Sequence, residues 1–189
     1  ALANLLAHWD VPVNTPMILE KQITFDRELS VMVARDISGD IRTWPVTVNE
    51  HQNHILHVSA APASLSDKIA DEIAHIAKTL ANALNLVGVL GIEMFVAGDQ
   101  VYVNELAPRP HNSGHFTIEA TNVSQFEGHV RSVLGLPIPE IKQWAPAMML
   151  NLLGDDINRA RRELVDHPEW HIHDYGKDEV KPGRKMGHI

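Results

Sequence analysis

Alternating apolar and polar positions predict an antiparallel sheet in the first third of the chain. The first predicted strand alternates with a period of two. One of its faces carries Glu28, Ser30, Met32 and Ala34. A Ser-Gly-Asp turn, a returning strand, a polar loop and a third strand then follow. They occupy residues 38–40, 41–48, 49–53 and 55–59, in that order. This arrangement is typical of an antiparallel meander.

A period of 3.6 residues predicts one long amphipathic helix over residues 65–84. Ser66 is suited to cap its N-terminus. The apolar stripe of this helix consists of Ile69, Ile73, Ile76, Leu80 and Leu84. A second helix is predicted over residues 123–134, and Gly135 is suited to end it.

The proline-bearing connection at residues 137–146 favours a subdomain boundary. We predict one subdomain over residues 1–136 and a small β-rich subdomain over residues 137–189. In the second subdomain a helical pattern at 156–166 is surrounded by short strands. These strands are predicted at residues 147–153, 169–175 and 184–189. The predicted fold class is α+β, an antiparallel sheet packed with helices.

Two carboxylates lie on apolar strands that flank the Gly-Asp turn at residues 98–99. With a three-residue loop at 98–100, Glu93 faces Glu105 on one side of the sheet. With a two-residue turn, Asn104 would face Glu93 instead. Carboxylates that face each other directly repel unless a cation lies between them. Because Mg²⁺ prefers carboxylate and phosphate oxygens, we predict that Glu93 and Glu105 are metal ligands.

A polar loop follows this hairpin at residues 104–115, with the sequence Asn-Glu-Leu-Ala-Pro-Arg-Pro-His-Asn-Ser-Gly-His. Pro108 and Pro110 prevent the strand from continuing. The loop therefore presents several chemically active groups from the end of a rigid sheet, which is where binding sites are commonly built. The alternative is a solvated turn. We favour a site, because such a turn seldom combines a guanidinium, two imidazoles, two amides and a hydroxyl.

The composition excludes several classes of function. The 189 residues carry a formal net charge of −8 and no basic cluster before the last few positions. We therefore expect neither nucleic-acid binding nor attachment to an anionic membrane. The chain contains no cysteine, so disulfides and thiolate chemistry are excluded, and we expect a cytoplasmic protein. Its 12 histidines are scattered and do not show the spacing of a zinc site.

Four segments together resemble the 5-(carboxyamino)imidazole ribonucleotide synthase family, the phosphoribosylaminoimidazole carboxylase ATPase subunit. They are Phe-Asp-Arg-Glu-Leu-Ser at 25–30, the loop at 104–115, Ser-Gln-Phe-Glu at 124–127 and Pro-Gly-Arg-Lys-Met-Gly-His at 182–188. The resemblance covers essentially the whole chain, and the loop is its most specific segment. It implies an ATP-grasp fold and an enzyme of purine biosynthesis. The implied reaction is the ATP-dependent carboxylation of 5-aminoimidazole ribonucleotide with bicarbonate.

The resemblance also implies a nucleotide site. Glu20 and Ile23 match the positions that grip adenine, and Glu28 matches the position that binds the ribose hydroxyls. His51 corresponds to a histidine that contacts the nucleotide. Asn104 lies beside the two carboxylates that would hold Mg²⁺ on the triphosphate of ATP. Taken alone, Glu28 would more often be a solvated charge and His51 a surface residue.

For the second substrate, the resemblance implies binding positions in the loop and near the end of the chain. These positions are Arg109, His111, Asn112, Ser113, Arg184 and Lys185. Arg109 is suited to hold bicarbonate as a planar partner. His111 is the candidate for handling the amine proton, since an imidazole titrates near neutral pH. The local sequence of Ser124 and Gln125 favours a role in capping the helix that they open. The resemblance further implies a homodimer for the complete enzyme.

Two other functions stay open from the sequence. One is a related ATP-grasp enzyme that formylates or carboxylates another substrate, and the other is a non-catalytic nucleotide-binding module. The lysines and the glycine-rich loop that ATP-grasp enzymes place over the phosphates lie upstream of the adenine-binding glutamate. The 19 residues before Glu20 contain neither Lys nor Gly. We therefore expect a C-terminal portion of such an enzyme, inactive on its own.

Overall fold

The strands form one antiparallel sheet. The structure is a computed structural model that describes Ile18 and residues 20–189. The nine strands of this part are β1 Arg27–Arg35, β2 Ile41–Thr43, β3 Thr47–Gln52, β4 Ile55–Ala61, β5 Gly88–Ala97, β6 Gln100–Ala107, β7 Ala147–Leu153, β8 His173–Asp174 and β9 Lys185–His188. Their order across the sheet is β6-β5-β1-β3-β4-β7-β9-β8, and β2 also pairs with β1. The predicted α+β class with an antiparallel sheet is confirmed.

Helices and a short 3₁₀ turn connect the strands. The helices are α1 Asp67–Ala83, α2 Thr117–Ala120, α3 Gln125–Leu134 and α4 Asp156–Glu163, and the 3₁₀ turn is Asn112–Gly114. The side chain of Ser124 caps α3 by accepting from the Glu127 amide at 3.1 Å. Gly135 ends it in the left-handed conformation with φ 66°. The predicted end of this helix is confirmed, whereas its start lies two residues later than the predicted residue 123.

Helix α1 packs on one face of β1 and β5. Ser66 caps it as predicted, accepting from the Ile69 amide at 3.5 Å. Its buried face consists of Ile69, Ile73, Ala77 and Ala81. The predicted stripe is therefore right over its first two members and wrong at Leu84, which is 54% exposed. The buried residues recur every four positions along the helix. The two alanines among them allow the helix to lie close to the sheet.

Helix α3 covers the opposite face of the sheet at one end. Met32 and Ala34 of β1 contact Trp44 there, and Trp44 is buried. The indole nitrogen of Trp44 donates to the carbonyl oxygen of Val123 at 2.7 Å. Gly128 permits this packing, because a Cβ at its position would lie 2.4 Å from the Trp44 ring. The other end of the same face carries Glu28 and Ser30, which contact the polar residues described below.

A polar segment predicted as a loop is in fact a strand. Strand β3 continues to Gln52, and the chain turns only at Asn53 and His54, which have positive φ. Asn49 is buried, because Ser30 accepts from its amide nitrogen at 2.6 Å and Ser59 donates to its oxygen at 2.7 Å. A polar residue is stable inside a sheet when its hydrogen bonds are satisfied. Composition alone therefore indicated the wrong local structure here.

The last part of the chain extends the sheet around a small core of its own. Strand β7 pairs with β4, and this core contains Leu152, Ile157 and Met186. The predicted helix at 156–166 and strand at 184–189 are present but shorter. The predicted strand at 169–175 is wrong over most of its length, because only His173–Asp174 is paired. The division into subdomains at residue 137 stays a prediction.

Candidate functional site

A β-bulge brings the two predicted metal-ligating carboxylates opposite each other. The turn between β5 and β6 has two residues, since Ala97 pairs with Gln100, so the predicted three-residue loop is wrong. A regular ladder from this turn would place Asn104 opposite Glu93. The register shifts by one residue between Glu93 and Met94, and Glu105 faces Glu93 after all. Bulges of this kind re-aim side chains and are common near active sites.

Glu93 is held in its ionised form by the residues around it. Its carboxylate oxygen lies 3.2 Å from Nε2 of His111. The hydrogen bond from His111 lowers the pKa of Glu93 more than burial raises it, and the charge of Lys185 lowers it further. Burial in turn lowers the pKa of Lys185. An ionised, half-buried carboxylate opposite a second one is a suitable oxygen donor for a divalent cation.

The loop after β6 packs tightly enough to fix His111, which is 7% exposed. Its Nδ1 lies 2.9 Å from the Ser113 hydroxyl and accepts from the Ser113 amide at 3.4 Å. Because Nδ1 accepts, Nε2 carries the proton and donates it to Glu93. Gly91 makes room for the ring, since a Cβ there would lie 2.8 Å from Cβ of His111. The sheet and the loop thus hold this imidazole from both sides.

The residues predicted for the nucleotide are partly gathered at one end of the same face. Nδ1 of His51 lies 2.5 Å from the Glu28 carboxylate. Phe25 stacks on Phe95 with ring centroids 4.3 Å apart. Three of these residues, Glu28, His51 and Phe25, line a cavity of about 610 Å³. Two predicted adenine contacts, Glu20 and Ile23, are outside its lining, on the extended segment that precedes β1.

A second cavity, of about 500 Å³, joins residues that are far apart in sequence. Its lining includes His51, Glu93, Glu105, His111 and Lys185. Of the residues predicted for the second substrate, His111 of the loop and Lys185 near the end of the chain therefore meet in this cavity.

The other four residues predicted for the second substrate, and also Asn104, are outside the lining of this second cavity. Arg184 donates to the Glu179 carbonyl oxygen at 2.9 Å, and Arg109 donates to that of Pro110 at 3.0 Å. The amide nitrogen of Asn112 donates to the side-chain oxygen of Asn151 on β7 at 2.9 Å. Ser113 is buried beneath His111. Asn104 is the exposed extra residue of the bulge.

Sequence reasoning missed a group of imidazole rings that are outside the lining of this cavity. His115 and His188 have ring centroids 4.9 Å apart, and His188 stacks on His173 at 4.5 Å. Nε2 of His173 lies 2.6 Å from the Glu119 carboxylate. These rings join the loop to β8 and β9. Gly-His pairs occur at 114–115, 128–129 and 187–188, and only the first and the last belong to this group, so the pattern does not identify it.

Neither a metal site made only of protein side chains nor a membrane-spanning helix is found in the part of the chain that the structure describes. No group of three or more His, Cys, Asp or Glu side chains in Ile18 and residues 20–189 could hold a metal ion. A cation at Glu93 and Glu105 would therefore need further oxygen ligands, from water or from a bound substrate. Over the same residues, no helix has the length and apolar character required to span a membrane.

Two protein-family models match the chain. The model of the ATP-grasp domain matches residues 3–126. The model of the phosphoribosylaminoimidazole carboxylase C-terminal domain matches residues 147–189. Together they include the carboxylate pair, the polar loop and the strand that carries Lys185.

Similar proteins share one description. N5-carboxyaminoimidazole ribonucleotide synthase of Bacillus subtilis is 47% identical over 173 residues, which are 91% of this chain and 46% of that protein. The solved Staphylococcus aureus N5-carboxyaminoimidazole synthetase complexed with ADP has a TM-score of 0.82 and 43% identity, covering 89% of this chain and 46% of its own. The Aspergillus clavatus enzyme with ADP and 5-aminoimidazole ribonucleotide has a TM-score of 0.82 and 37% identity, covering 87% and 46%. The chain thus spans about half the length of the relatives that it matches.

Proposed function

Because the chain belongs to the ATP-grasp family, we propose that it forms the C-terminal half of an enzyme that carboxylates 5-aminoimidazole ribonucleotide. The proposed reaction consumes ATP and bicarbonate and belongs to purine biosynthesis. The names of the relatives support the carboxyaminoimidazole product, and the relative with ADP and 5-aminoimidazole ribonucleotide supports the nucleotide and the ribonucleotide. The observation that carries this proposal is the Glu93–Glu105 pair, which faces a cavity together with His111 and Lys185. This cavity combines anionic ligands for a cation with basic groups for anionic substrates.

Glu93 and Glu105 fit a magnesium ion bound to the phosphates of ATP. They are directly opposed on adjacent strands, and Glu93 is kept ionised. Phosphate oxygens would complete the coordination, which agrees with the absence of a third protein ligand among the described residues. When bound, the ion neutralises negative charge on the transferred phosphoryl group.

The cavity beside Glu28 is where we place the nucleoside of ATP. Glu28 is suited to accept hydrogen bonds from the ribose hydroxyls, and its contact with His51 fixes its orientation. The stacked pair of Phe25 and Phe95 provides an apolar surface next to it. Glu20 and Ile23 would complete the adenine contacts from the segment before β1. Asn104, in the bulge, would lie beside the phosphates.

Activation of bicarbonate is the chemical task of the loop. A bicarbonate oxygen attacks the γ-phosphorus, and the bond from that phosphorus to the oxygen of ADP breaks. The resulting carboxyphosphate releases phosphate and CO₂, and the amine of the substrate attacks the CO₂ carbon to give the carbamate. Arg109 is the proposed partner of bicarbonate. His111 is the proposed acceptor of the amine proton. Because its Nε2 is already protonated, Nδ1, which contacts the Ser113 hydroxyl, would take up this proton.

Lys185, Arg184, Asn112 and Ser113 are the proposed contacts of the ribonucleotide. Lys185 lies in the cavity next to Glu93, where its charge is suited to a phosphate group. We also propose a homodimer and a cytoplasmic location for the complete enzyme, as the family resemblance implies.

Substrate dependence tests this function. Phosphate release from Mg·ATP by the full-length enzyme is expected only when bicarbonate and 5-aminoimidazole ribonucleotide are both present. Release that requires formate in place of bicarbonate would instead identify a formyl-transferring relative. A thermal shift with Mg·ATP but no phosphate release with any of these substrates would identify a nucleotide-binding module.

Replacing either member of the basic pair at the start of β9, Arg184 or Lys185, is expected to weaken binding of the ribonucleotide selectively. In the full-length enzyme, Arg184→Ala and Lys185→Ala should each raise the KM of the ribonucleotide by about tenfold or more, the effect of losing about 1.4 kcal/mol of binding. The KM of ATP should change by less than about threefold. The matched control is Lys181→Ala, because Lys181 is an exposed lysine that pairs with Glu179 and is outside the lining of the cavity. Equal increases in both KM values would contradict the assignment.

A further inference from the structure

Gln125 is a completely buried amide that contacts the polar loop instead of its own helix. It is the first residue of α3 and has no exposed surface. Its side-chain oxygen accepts from the His111 amide at 2.8 Å, and its side-chain nitrogen donates to the His111 carbonyl oxygen at 2.8 Å. The same nitrogen lies 2.9 Å from Nδ1 of His115. The capping function assigned to it from the sequence is wrong, because Ser124 caps the helix.

The geometry around Gln125 is specific for an amide of this length. The side chain is bonded to both backbone groups of His111, as a neighbouring strand would be. Gly114 leaves the space that this requires, since a Cβ there would lie 2.6 Å from the Gln125 oxygen. Both hydrogens of the side-chain nitrogen have acceptors. A buried primary amide is tolerated only when its polar atoms are paired, and every one of them is paired here.

We propose that Gln125 is a positioning residue for phosphoryl transfer, holding His111 where its imidazole fixes the metal-ligating Glu93. This inference rests on the function proposed above. Gln125 fixes the backbone of His111, and the ring of His111 then donates to Glu93 at 3.2 Å. A displacement of about 1 Å in such a chain of contacts is enough to change a rate on the order of a hundredfold.

The third hydrogen bond of Gln125 extends its effect to His115. By donating to Nδ1, the amide selects the neutral tautomer of His115 that carries its proton on Nε2. Burial lowers the pKa of His115 to about 3, which agrees with a neutral ring. His115 contacts His188 on β9, the strand that also carries Lys185. One amide therefore connects the loop to the strand proposed to bind the ribonucleotide.

The variant Gln125→Glu tests the proposal through its pH dependence. A protonated carboxyl can accept from the His111 amide and donate to its carbonyl oxygen, whereas a carboxylate repels that oxygen. In the full-length enzyme, kcat relative to wild type should fall on the order of a hundredfold at high pH and recover as the pH is lowered. The KM of ATP should stay within about threefold. Gln125→Met should lose a similar factor at every pH, without recovery.

The kcat of the variant is divided by the kcat of the wild type at each pH because other ionisable groups lie nearby. They are His111, His115, Glu93, His173, His188 and Lys185. Gln100→Glu is the matched control, since Gln100 is exposed in the β5–β6 hairpin, and its ratio should be independent of pH. A pH-independent ratio for Gln125→Glu, or wild-type kcat for Gln125→Met, would overturn the proposal. An inactive wild-type enzyme would refute the proposed function instead.

The tautomer of His115 provides a test that needs no activity. Ring ¹⁵N spectra of the wild-type protein should show His115 protonated at Nε2, with Nδ1 accepting a hydrogen bond. Gln125→Met should shift the Nδ1 resonance and allow both tautomers, and Gln100→Glu should not. Unchanged His115 resonances in Gln125→Met would overturn the proposed contact even if the enzyme proved to have another substrate.

Discussion

Replacing Glu105 with Gln in the full-length enzyme is expected to reduce ATP cleavage by about a thousandfold or more. The loss corresponds to about 4 kcal/mol of electrostatic stabilisation when a carboxylate ligand is replaced by a neutral amide. The fold should be preserved, because Glu105 is exposed on β6 and the substitution retains its shape. Phosphate release from Mg·ATP and the melting temperature, measured on the same preparation, give the two values.

The control for this prediction is Glu72→Gln. Glu72 is an exposed carboxylate on α1, away from the cavity lined by Glu93 and Glu105, so its replacement should leave ATP cleavage unchanged. A Glu105→Gln enzyme that retains more than about a tenth of wild-type activity would not be missing a metal ligand. A large drop in its melting temperature would indicate a structural function for Glu105.

The buried imidazoles should make the protein lose stability in mild acid. Burial lowers the pKa of His115 to about 3 and that of His188 to about 4, from an ordinary value of 6.5. Between those values the unfolded chain binds more protons than the folded one. The free energy of unfolding should therefore fall as the pH drops from about 6.5 towards 4, by up to about 1.4 kcal/mol per pH unit for each histidine. Urea unfolding at several pH values measures this slope.

Two variants separate these histidines from the other titrating groups. His188→Phe keeps an aromatic ring against His173 and removes one titrating site. The slope of the unfolding free energy against pH should therefore decrease by about 1.4 kcal/mol per pH unit, the value for one proton. His75→Gln, at an exposed position on α1, should leave the slope unchanged. Equal slopes for wild type and His188→Phe would show that His188 is not kept neutral by the fold.

The parts of the fold that depend on local periodicity could be predicted from the sequence. Helix α1 and its Ser66 cap, the Gly135 end of α3 and the strand that carries Glu28 are all where period and capping residues placed them. Polar residues inside the sheet could not be predicted in the same way. Asn49 has the composition of a loop, and only its contacts with distant strands make it part of β3.

In the candidate site too, local patterns predicted some features and missed those that depend on distant contacts. The opposition of Glu93 and Glu105 was predicted from a loop length that is wrong, and the structure reaches it through a bulge at Asn104. Nothing in a single sequence marks such a bulge, since it costs only one unpaired residue. The partners of Gln125 are 10 and 14 residues away and depend on how the loop folds back onto α3. Local patterns therefore predicted a chemistry for the candidate site but did not predict the residues that hold its side chains in place.

The transfer of oxygen from bicarbonate to phosphate tests the central claim most directly. In the proposed reaction the bond between carbon and the bridging oxygen of carboxyphosphate breaks, so this oxygen leaves with the phosphate. The full-length enzyme, given ¹⁸O-bicarbonate, Mg·ATP and 5-aminoimidazole ribonucleotide, should release phosphate that carries one labelled oxygen per molecule. Mass spectrometry of the phosphate distinguishes the outcomes. Unlabelled phosphate, formed in amounts equal to the carbamate product, would contradict the activation of bicarbonate at this site.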